Sequence, residues 1–501
     1  MTATIAYAQT DTNLNQLEDA VTAINQNQLQ HADELLNSVL AKTPNDADAL
    51  NLLGVVRAKQ DRTTDAEKLF RRAISILPAH VSAHINLAEL LLTHNRPTEA
   101  AIVLLRAYKL APTRPEINID LATLYAAKGD YQRAYEHLRQ VPHDAINDDY
   151  FLAMLRTLVG LKRLKEIPEL AREFQNSTIE SDETKAQFAS LLVKTGSYDD
   201  AFTILNAALQ TSKSFSLFYA LGIANIATKQ FDKADEALTE ALKLKPDDVA
   251  TLRALAQAAR NAGNFEKALS HLVQARRIAP KSPAVLYDFG VTTLQMDLVL
   301  DALPVFEQLH RDQPREPAYL YGLAAAHWTK GEVAETTRLL NTYVVLAPKS
   351  PAGWYLLGAA LLRQERYVEA QRALQRSLTL KADVDTEYLF GVCLEKTGNR
   401  SAAIETFQKI VKARPDHAAA HAALGSAYRE ANNYIDARAE LERAVQLDAD
   451  DLRANYQLGL VYAKLGEKEA AQKMLDRADE LRKRQHTEER VILKLIDEPQ
   501  F

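Results

Sequence analysis

The chain has 501 residues, and its 60 lysines and arginines against 66 aspartates and glutamates leave a net charge of −6. This balance argues against a nucleic-acid binder, because such proteins usually carry a basic excess. The single cysteine, Cys393, excludes an intrachain disulfide framework. No apolar run reaches the ~18 residues of a membrane span. We therefore expect neither a nucleic-acid partner nor insertion into a membrane.

The first twelve residues are predicted to form a separate N-terminal segment. Ala6, Tyr7 and Ala8, followed by Gln9, look like a signal-peptidase site, but the apolar stretch before them is too short for a signal peptide. As written, the chain carries no targeting signal, which favours the cytoplasm. A segment missing before Gln9 would make the protein periplasmic or secreted, so the compartment stays open.

A period of 34 residues then runs from about residue 13 to residue 485. Pro44, Pro78 and Pro112 are spaced by this period, as are Pro246, Pro280, Pro314 and Pro348. We number the positions of each repeat from its first residue and call them slots. Of the 16 glycines, 13 fall in slot 8 or slot 15. A fixed period of this length indicates a stacked repeat array rather than separate globular domains.

Each repeat is predicted to form two helices, as residues 249–282 illustrate. Leu252, Leu255 and Ala259 recur at helical spacing and predict an amphipathic first helix. Gly263 permits the turn that follows, and Pro280 ends the second helix because proline lacks the amide donor. Small residues at slots 8 and 20 would let the two helices approach closely.

The repeat at 351–383 carries the most complete set of these residues: Trp354, Leu357, Gly358, Tyr367, Ala370 and Leu374. This pattern, which recurs over 13–485, resembles the tetratricopeptide repeat (TPR) family. The resemblance implies an all-α fold, a right-handed superhelical solenoid of about fourteen helix-turn-helix repeats. First helices would line its concave groove, and stability would add up over neighbouring repeats.

The array is predicted to have four parts after the N-terminal segment 1–12. Residues 13–148 hold repeats 1–4, and 149–181 form a degenerate repeat that keeps its leucines but loses the small slots. That stretch is either a diverged helical pair that still packs or a joint between two sub-arrays. Residues 182–485 hold repeats 6–14. Residues 486–501 are predicted to form a capping helix and tail, with self-association through this helix as the alternative.

Catalytic and metal-binding motifs are absent from the sequence. There is no glycine-rich phosphate loop, no HExxH, no CxxC and no GxSxG. Cys393 lies among apolar residues and is predicted to be a buried small hydrophobe. His80 and His84, like His417 and His421, have the spacing of paired metal ligands, but no third ligand recurs nearby. We therefore expect no enzyme activity, no cofactor and no metal.

One stripe of the first helices carries candidate binding residues. In the TPR family, slots 5, 9 and 12 form a stripe that faces the ligand groove. The resemblance therefore predicts a peptide-binding groove from the slot 5 and slot 12 residues of the second half. Alternatively, each tyrosine packs against the adjacent repeat and only stiffens the array. The candidate residues are Tyr219, Arg253, Arg260, Tyr287, Tyr321, Trp328, Tyr355, Tyr388, Arg429 and Tyr456.

A TPR subclass that binds acidic C-terminal tails needs lysines and an arginine at fixed slots. The best-matching window here offers Asn51, Val55 and Asn86, and then Glu116 and Asp120 where that subclass has basic residues. Because the charge is reversed, we do not expect this chain to bind such tails.

These patterns predict a non-catalytic scaffold that binds polypeptide partners in the concave groove. The plain, alanine-rich repeats would suit a bacterial cell-envelope assembly. TPR arrays also accompany catalytic domains in glycosyl- and sulfotransferases. The alternative is therefore a targeting or regulatory subunit for a separate enzyme such as a glycosyl- or sulfotransferase.

Overall fold

The computed structural model describes residues 2–484, with side-chain burial described for 13–482, and this part of the chain contains helices and no β-strand. It divides after Pro246 into two compact units, 1–246 and 247–501, which we call the N-terminal and C-terminal units. Each unit is a succession of helical hairpins, in which odd-numbered helices are the first helices and even-numbered helices the second. The predicted all-α repeat fold is therefore confirmed.

The N-terminal unit contains seven hairpins, and short 3₁₀ turns at His143–Ala145 and Leu164–Glu166 flank α9. Its helices are α1 Thr2–Asn25, α2 Leu29–Lys42, α3 Ala47–Lys59, α4 Thr63–Ile76, α5 Val81–Thr93, α6 Pro97–Leu110, α7 Pro115–Ala127, α8 Tyr131–Leu138, α9 Asp148–Gly160, α10 Ile167–Asn176, α11 Asp182–Thr195, α12 Tyr198–Thr211, α13 Phe215–Ala227 and α14 Phe231–Leu244.

The described part of the C-terminal unit contains seven further hairpins. Its helices are α15 Val249–Asn261, α16 Phe265–Ile278, α17 Pro283–Gln295, α18 Val299–Asp312, α19 Pro317–Thr329, α20 Val333–Leu346, α21 Pro351–Arg363, α22 Tyr367–Leu380, α23 Val384–Lys396, α24 Arg400–Ala413, α25 Ala418–Glu430, α26 Tyr434–Leu447, α27 Leu452–Leu465 and α28 Lys468–Arg484. The predicted capping helix at 486–501 lies outside the described residues. At the other end, residues 2–12 belong to α1.

Every hairpin turns on one residue in the left-handed backbone region. Six of these residues are glycines with φ between 78° and 85°, and eight are other residues with φ between 56° and 62°. Lys162 takes this role in the degenerate repeat. It falls at slot 15 only if that repeat begins at Asp148, where α9 begins, so the repeat starts one residue earlier than predicted.

Small residues at slots 8 and 20 allow the two helices of a hairpin to touch. A Cβ added to Gly391 would lie 2.6 Å from the ring of Phe407, and one added to Gly290 would lie 2.8 Å from the ring of Phe306. Such distances are shorter than van der Waals contact, so no larger residue fits unless the ring moves. At slot 20, Ala370 and Ala403 are fully buried. The predicted mechanical role of the small slots is thus confirmed.

The degenerate repeat is well packed within the N-terminal unit. Phe151, Phe174 and Phe188 form a buried aromatic group, in which the rings of Phe174 and Phe188 stack with centroids 4.0 Å apart. These rings belong to a core cluster that extends from α7 to α13. A flexible joint at 141–181 stays a prediction; the division between the compact units comes later, after Pro246.

Candidate polypeptide-binding surface

The central part of the predicted tyrosine stripe is buried. Tyr287, Tyr321 and Tyr355 are only 4%, 2% and 3% exposed. Their rings contact residues of neighbouring helices: Tyr287 meets Phe306 edge-on at 6.1 Å, and Tyr321 lies 5.3 Å from Tyr343. These three tyrosines therefore pack in the core of the C-terminal unit, as the stiffening interpretation expects.

The phenol groups of this central stripe also lie near one another. Burial raises the pKa of Tyr321 well above its ordinary value, and the neighbouring Tyr343, Tyr287 and Tyr355 raise it further. Burial, reinforced by Asp385 and Asp383, also raises the pKa of Tyr355. Tyr321 and Tyr355 are therefore neutral at physiological pH.

First helices in this part of the C-terminal unit are buried on every side. In α17, all residues from Val285 to Leu294 are buried, and the same holds for Ala318 to Ala326 in α19. A helix that is apolar all round belongs to a core rather than to a surface. The stripe positions around Tyr287 and Tyr321 therefore lie inside the packed structure.

Towards its ends the stripe is accessible. Tyr456 is 39% exposed, and Tyr219 and Tyr388 are half-buried. The ring of Tyr388 lies between Phe407 and His417, with centroid distances of 6.1 Å and 5.5 Å. These neighbours hold the ring in one orientation while leaving part of it uncovered.

The two arginines of α15 face α17, the first helix of the next repeat. The Nε of Arg253 donates to Oδ2 of the buried Asp288 at 2.6 Å. The Nη1 of Arg260 lies 3.5 Å from Oγ1 of Thr292. Both side chains are half-buried and bridge neighbouring first helices, which gives them a structural role in this unit.

The remaining slot 12 candidates differ from each other. Trp328 is buried, with the guanidinium of Arg363 5.0 Å from its ring, a cation–π contact. Arg429 is half-buried, and its Nη2 lies 3.8 Å from a carboxylate oxygen of Glu430. Its buried Nε has no hydrogen-bond partner within the described chain.

Acidic side chains gather on the first helices α5, α7 and α9 of the N-terminal unit. Partial burial raises the pKa of Asp120 to about 7, and the negative charges of Glu89, Asp149 and Glu116 contribute further. The carboxylates are close enough to repel one another. The charge reversal that the sequence shows at Glu116 and Asp120 is therefore part of a wider acidic patch.

Two cavities open on the N-terminal unit. One, of about 330 Å³, is lined by residues towards the C-terminal ends of α7, α9 and α11 and has mostly apolar walls. We call it the anchor pocket. The other, of about 810 Å³, is formed by α12, α13 and α14, where Phe202, Phe218 and Leu221 lie beside Asp235, Glu236 and Glu240. The anchor pocket differs because its charged residues, Arg156 and Lys194, are both basic.

Sequence reasoning missed Arg156 and Lys194. With α9 beginning at Asp148, Arg156 takes slot 9 of its repeat, on the same stripe as the tyrosines. Counting from residue 149 places it at slot 8, on the packing side. The left-handed backbone at Lys162 fixes the correct frame, and it is a property of the structure rather than of the sequence.

The first histidine of each pair caps a helix. Nδ1 of His80 accepts from the amide of Ala83 at 3.2 Å, and Nδ1 of His417 accepts from the amide of Ala420 at 3.1 Å. His84 contacts the carbonyl oxygen of Pro78 through Nε2 at 3.0 Å. Within residues 2–484, no group of three or more histidine, cysteine or acidic side chains is placed to hold a metal ion.

The structure also bears on a cysteine nucleophile and on membrane-spanning helices. Cys393 is fully buried, and burial raises the pKa of its thiol to about 12, so the thiolate needed for nucleophilic attack does not form at neutral pH. None of the described helices combines the length and the apolar character required to cross a bilayer.

Family comparisons match most of the repeats. Models described as "Tetratricopeptide repeat" match 17–80, 75–115, 98–158, 225–287, 361–427 and 452–485, and one described as "TPR repeat" matches 425–466. The chain belongs to the tetratricopeptide repeat family. Within this TPR array, residues 295–377 also match a model described as "Anaphase-promoting complex, cyclosome, subunit 3".

A curated relative and several solved structures, among others, resemble the TPR array. The mouse protein "Superkiller complex protein 3" is 32% identical over 112 residues, which is 22% of this chain and only 7% of that protein. The APC/C hetero-tetramer Cut9–Hcn1 is 17% identical, with 93% of each chain covered and a TM-score of 0.50, and shows the fold alone. Yeast Tom70 gives 15% identity, coverage of 86% and 99%, and a TM-score of 0.37. YrrB, described as a TPR protein with an unusual peptide-binding site, gives 19% identity, coverage of 36% and 92%, and a TM-score of 0.30.

Proposed function

We propose that this TPR chain is a non-catalytic scaffold that binds polypeptide segments of partner proteins along its first-helix face. The observation that carries the proposal is the change of exposure along one stripe. Rings fill the stripe at Tyr287, Tyr321 and Tyr355, but remain accessible at Tyr219, Tyr388 and Tyr456. The accessible ends are the parts of the stripe that a partner can reach.

The end formed by α23 and α27 suits a polypeptide ligand. Tyr456 at slot 5 and the exposed Arg453 at slot 2 follow each other on one side of α27. A tyrosine offers a large contact area with few rotatable bonds, together with a hydroxyl that can bond a peptide backbone. Between Tyr388 and Tyr456, the stripe residues Ala422 and Ser426 of α25 are small and buried, so no ring fills the stripe there.

The test is capture of partners by the full chain from the native source, with quantification by mass spectrometry. We expect the double variant Tyr388→Ala/Tyr456→Ala to lose at least one partner that the unchanged chain captures. The matched control is Tyr367→Ala/Tyr434→Ala, which removes two half-buried tyrosines at slot 17 of second helices. Circular dichroism of all variants checks that the repeats remain folded.

The two variants separate the possible outcomes. Identical partner sets for the stripe variant and the unchanged chain would refute binding at this surface. A glycosyl- or sulfotransferase captured in stoichiometric amounts, whatever the state of the stripe, would instead support the alternative of a targeting or regulatory subunit.

A further inference from the structure

The anchor pocket is a recess with a definite structural cause. Ala126 and Ala153 line it where other side chains would fill the space, and Val159 and Leu191 complete its apolar walls. A Cβ added to Gly160 would lie 2.3 Å from the ring of Tyr131. Because residue 160 is glycine, the ring of Tyr131 can lie against α9 and form one side of the recess.

The size of the recess limits what it can hold. Its 330 Å³ lies at the lower end of the roughly 300–1,000 Å³ that is usual for ligand pockets. That volume suits one large side chain, such as leucine or phenylalanine, with a little of the chain that carries it. It is too small for a helix, which would have to lie across the opening instead.

Two cations mark the rim of the anchor pocket. Arg156 and Lys194 are exposed and contribute to its lining. Neither forms an ion pair with a carboxylate anywhere in the part of the chain that the structure describes. Elsewhere in the N-terminal unit, Arg57, Arg71 and Arg96 do pair with acids. The uncompensated charge gives this opening a preference for anions.

We propose that the anchor pocket binds a partner segment that inserts one large apolar side chain into the recess and places an adjacent aspartate or glutamate against Arg156 and Lys194. The proposal rests on the proposed scaffold function and adds to it a ligand class and a location. It also orients the segment. The acidic patch around Asp120 lies earlier on α7 and α9, which also line the pocket, so a carboxylate of the segment is repelled there and attracted at the pocket.

The full chain is tested on an array of short synthetic peptides in a serine–glycine background. One position varies among Phe, Leu, Ala and Ser, and its neighbour varies among Asp, Glu, Ser and Lys. We expect peptides that combine Phe or Leu with Asp or Glu to bind at least about tenfold more tightly than the matched peptides with Ser or Lys. Added salt should reduce this preference because the rim cations are exposed.

Three variants locate the binding. Arg156→Glu/Lys194→Glu should reverse the preference for acidic over basic peptides. Ala127→Trp, at an exposed position of the pocket wall, should weaken binding of every apolar peptide without touching the charges. The control is Arg106→Glu/Lys109→Glu on α6, two exposed cations whose reversal changes the net charge equally and should leave the preference intact.

The outcomes distinguish this inference from the scaffold function. If no acidic–apolar peptide is preferred, or if the preference survives both pocket variants, the anchor-pocket inference is wrong. Partner capture that depends on Tyr388 and Tyr456 would still support the scaffold. Enrichment of basic peptides that is lost in Asp120→Asn would place ligand binding at the acidic patch and overturn the inference as well.

Discussion

The same stripe of first-helix residues is a packed core in the middle of the C-terminal unit and borders an open recess in part of the N-terminal unit. In the C-terminal unit, the rings of Tyr287, Tyr321 and Tyr355 fill the space between first helices. In the N-terminal unit, Thr123, Ala126 and Arg156 occupy the stripe and a 330 Å³ recess remains. The slot determines which way a side chain points, whereas its size decides whether the stripe becomes interior or surface.

The largest expected loss of stability comes from truncating a buried tyrosine of the C-terminal unit. Tyr321→Ala should destabilise its repeat by about 3–4 kcal/mol, because it empties a fully packed site. Tyr456→Ala should cost less than about 1 kcal/mol, since that ring is 39% exposed. Amide hydrogen exchange of α19 and α27 measures each effect locally, which is appropriate for a repeat array. Equal costs at the two positions would contradict the contrast.

A second change adds volume instead of removing it. Ala325→Leu on α19 should destabilise the C-terminal unit by about 1–3 kcal/mol, because Ala325 is fully buried among packed rings. Ala127→Leu, at the exposed wall of the anchor pocket, should change stability by less than about 0.5 kcal/mol. Thermal unfolding followed by circular dichroism compares the two variants. A large cost at Ala127 would mean that the recess is not open.

The third prediction concerns pH. The pKa of Asp120 is raised from 3.8 to about 7, so the folded state binds a proton more tightly than the unfolded state does. Its contribution to the free energy of unfolding is therefore full below pH ~4 and is lost as the pH rises through about 7. Asp120→Asn should stabilise α7 by about 1–2 kcal/mol at pH 8, after allowance for partial solvent screening, and by less at pH 5.

Hydrogen exchange of α7 in the unchanged chain and in Asp120→Asn, compared at each pH, measures this gain in stability. Glu116→Gln is the matched control, because Glu116 is exposed and contributes only one of the neighbouring charges. A gain for Asp120→Asn that is larger at pH 5 than at pH 8 would reverse the predicted sign and exclude a raised pKa.

The architecture could be predicted from the sequence because it depends on local and periodic features. Gly263 and Pro280 mark the ends of helices, and Gly391 marks a contact that admits only a hydrogen atom. Each of these features depends only on residues within one or two helical turns along the sequence. They were sufficient for the helix pairs, the number of hairpins and the close approach of the helices.

The accessibility of the stripe could not be predicted in the same way. Whether Tyr321 is buried depends on Tyr287, Tyr343 and Tyr355, which lie on three other helices. The anchor pocket was missed for a different reason. Counted from residue 149, Arg156 falls at slot 8 on the packing side instead of slot 9 on the stripe, because each residue turns a helix by about 100°.

The left-handed turn residue of each hairpin has a consequence for how the chain can change in length. Since Asn95, Gly331 and Glu365 adopt nearly the same backbone conformation despite different side chains, the corner between helices is set by the fold and not by one residue type. Whole hairpins can therefore be deleted or duplicated, because the turn between two helices keeps the same backbone conformation. Losing a single residue from a corner, by contrast, would rotate the following helix and misdirect every side chain on it.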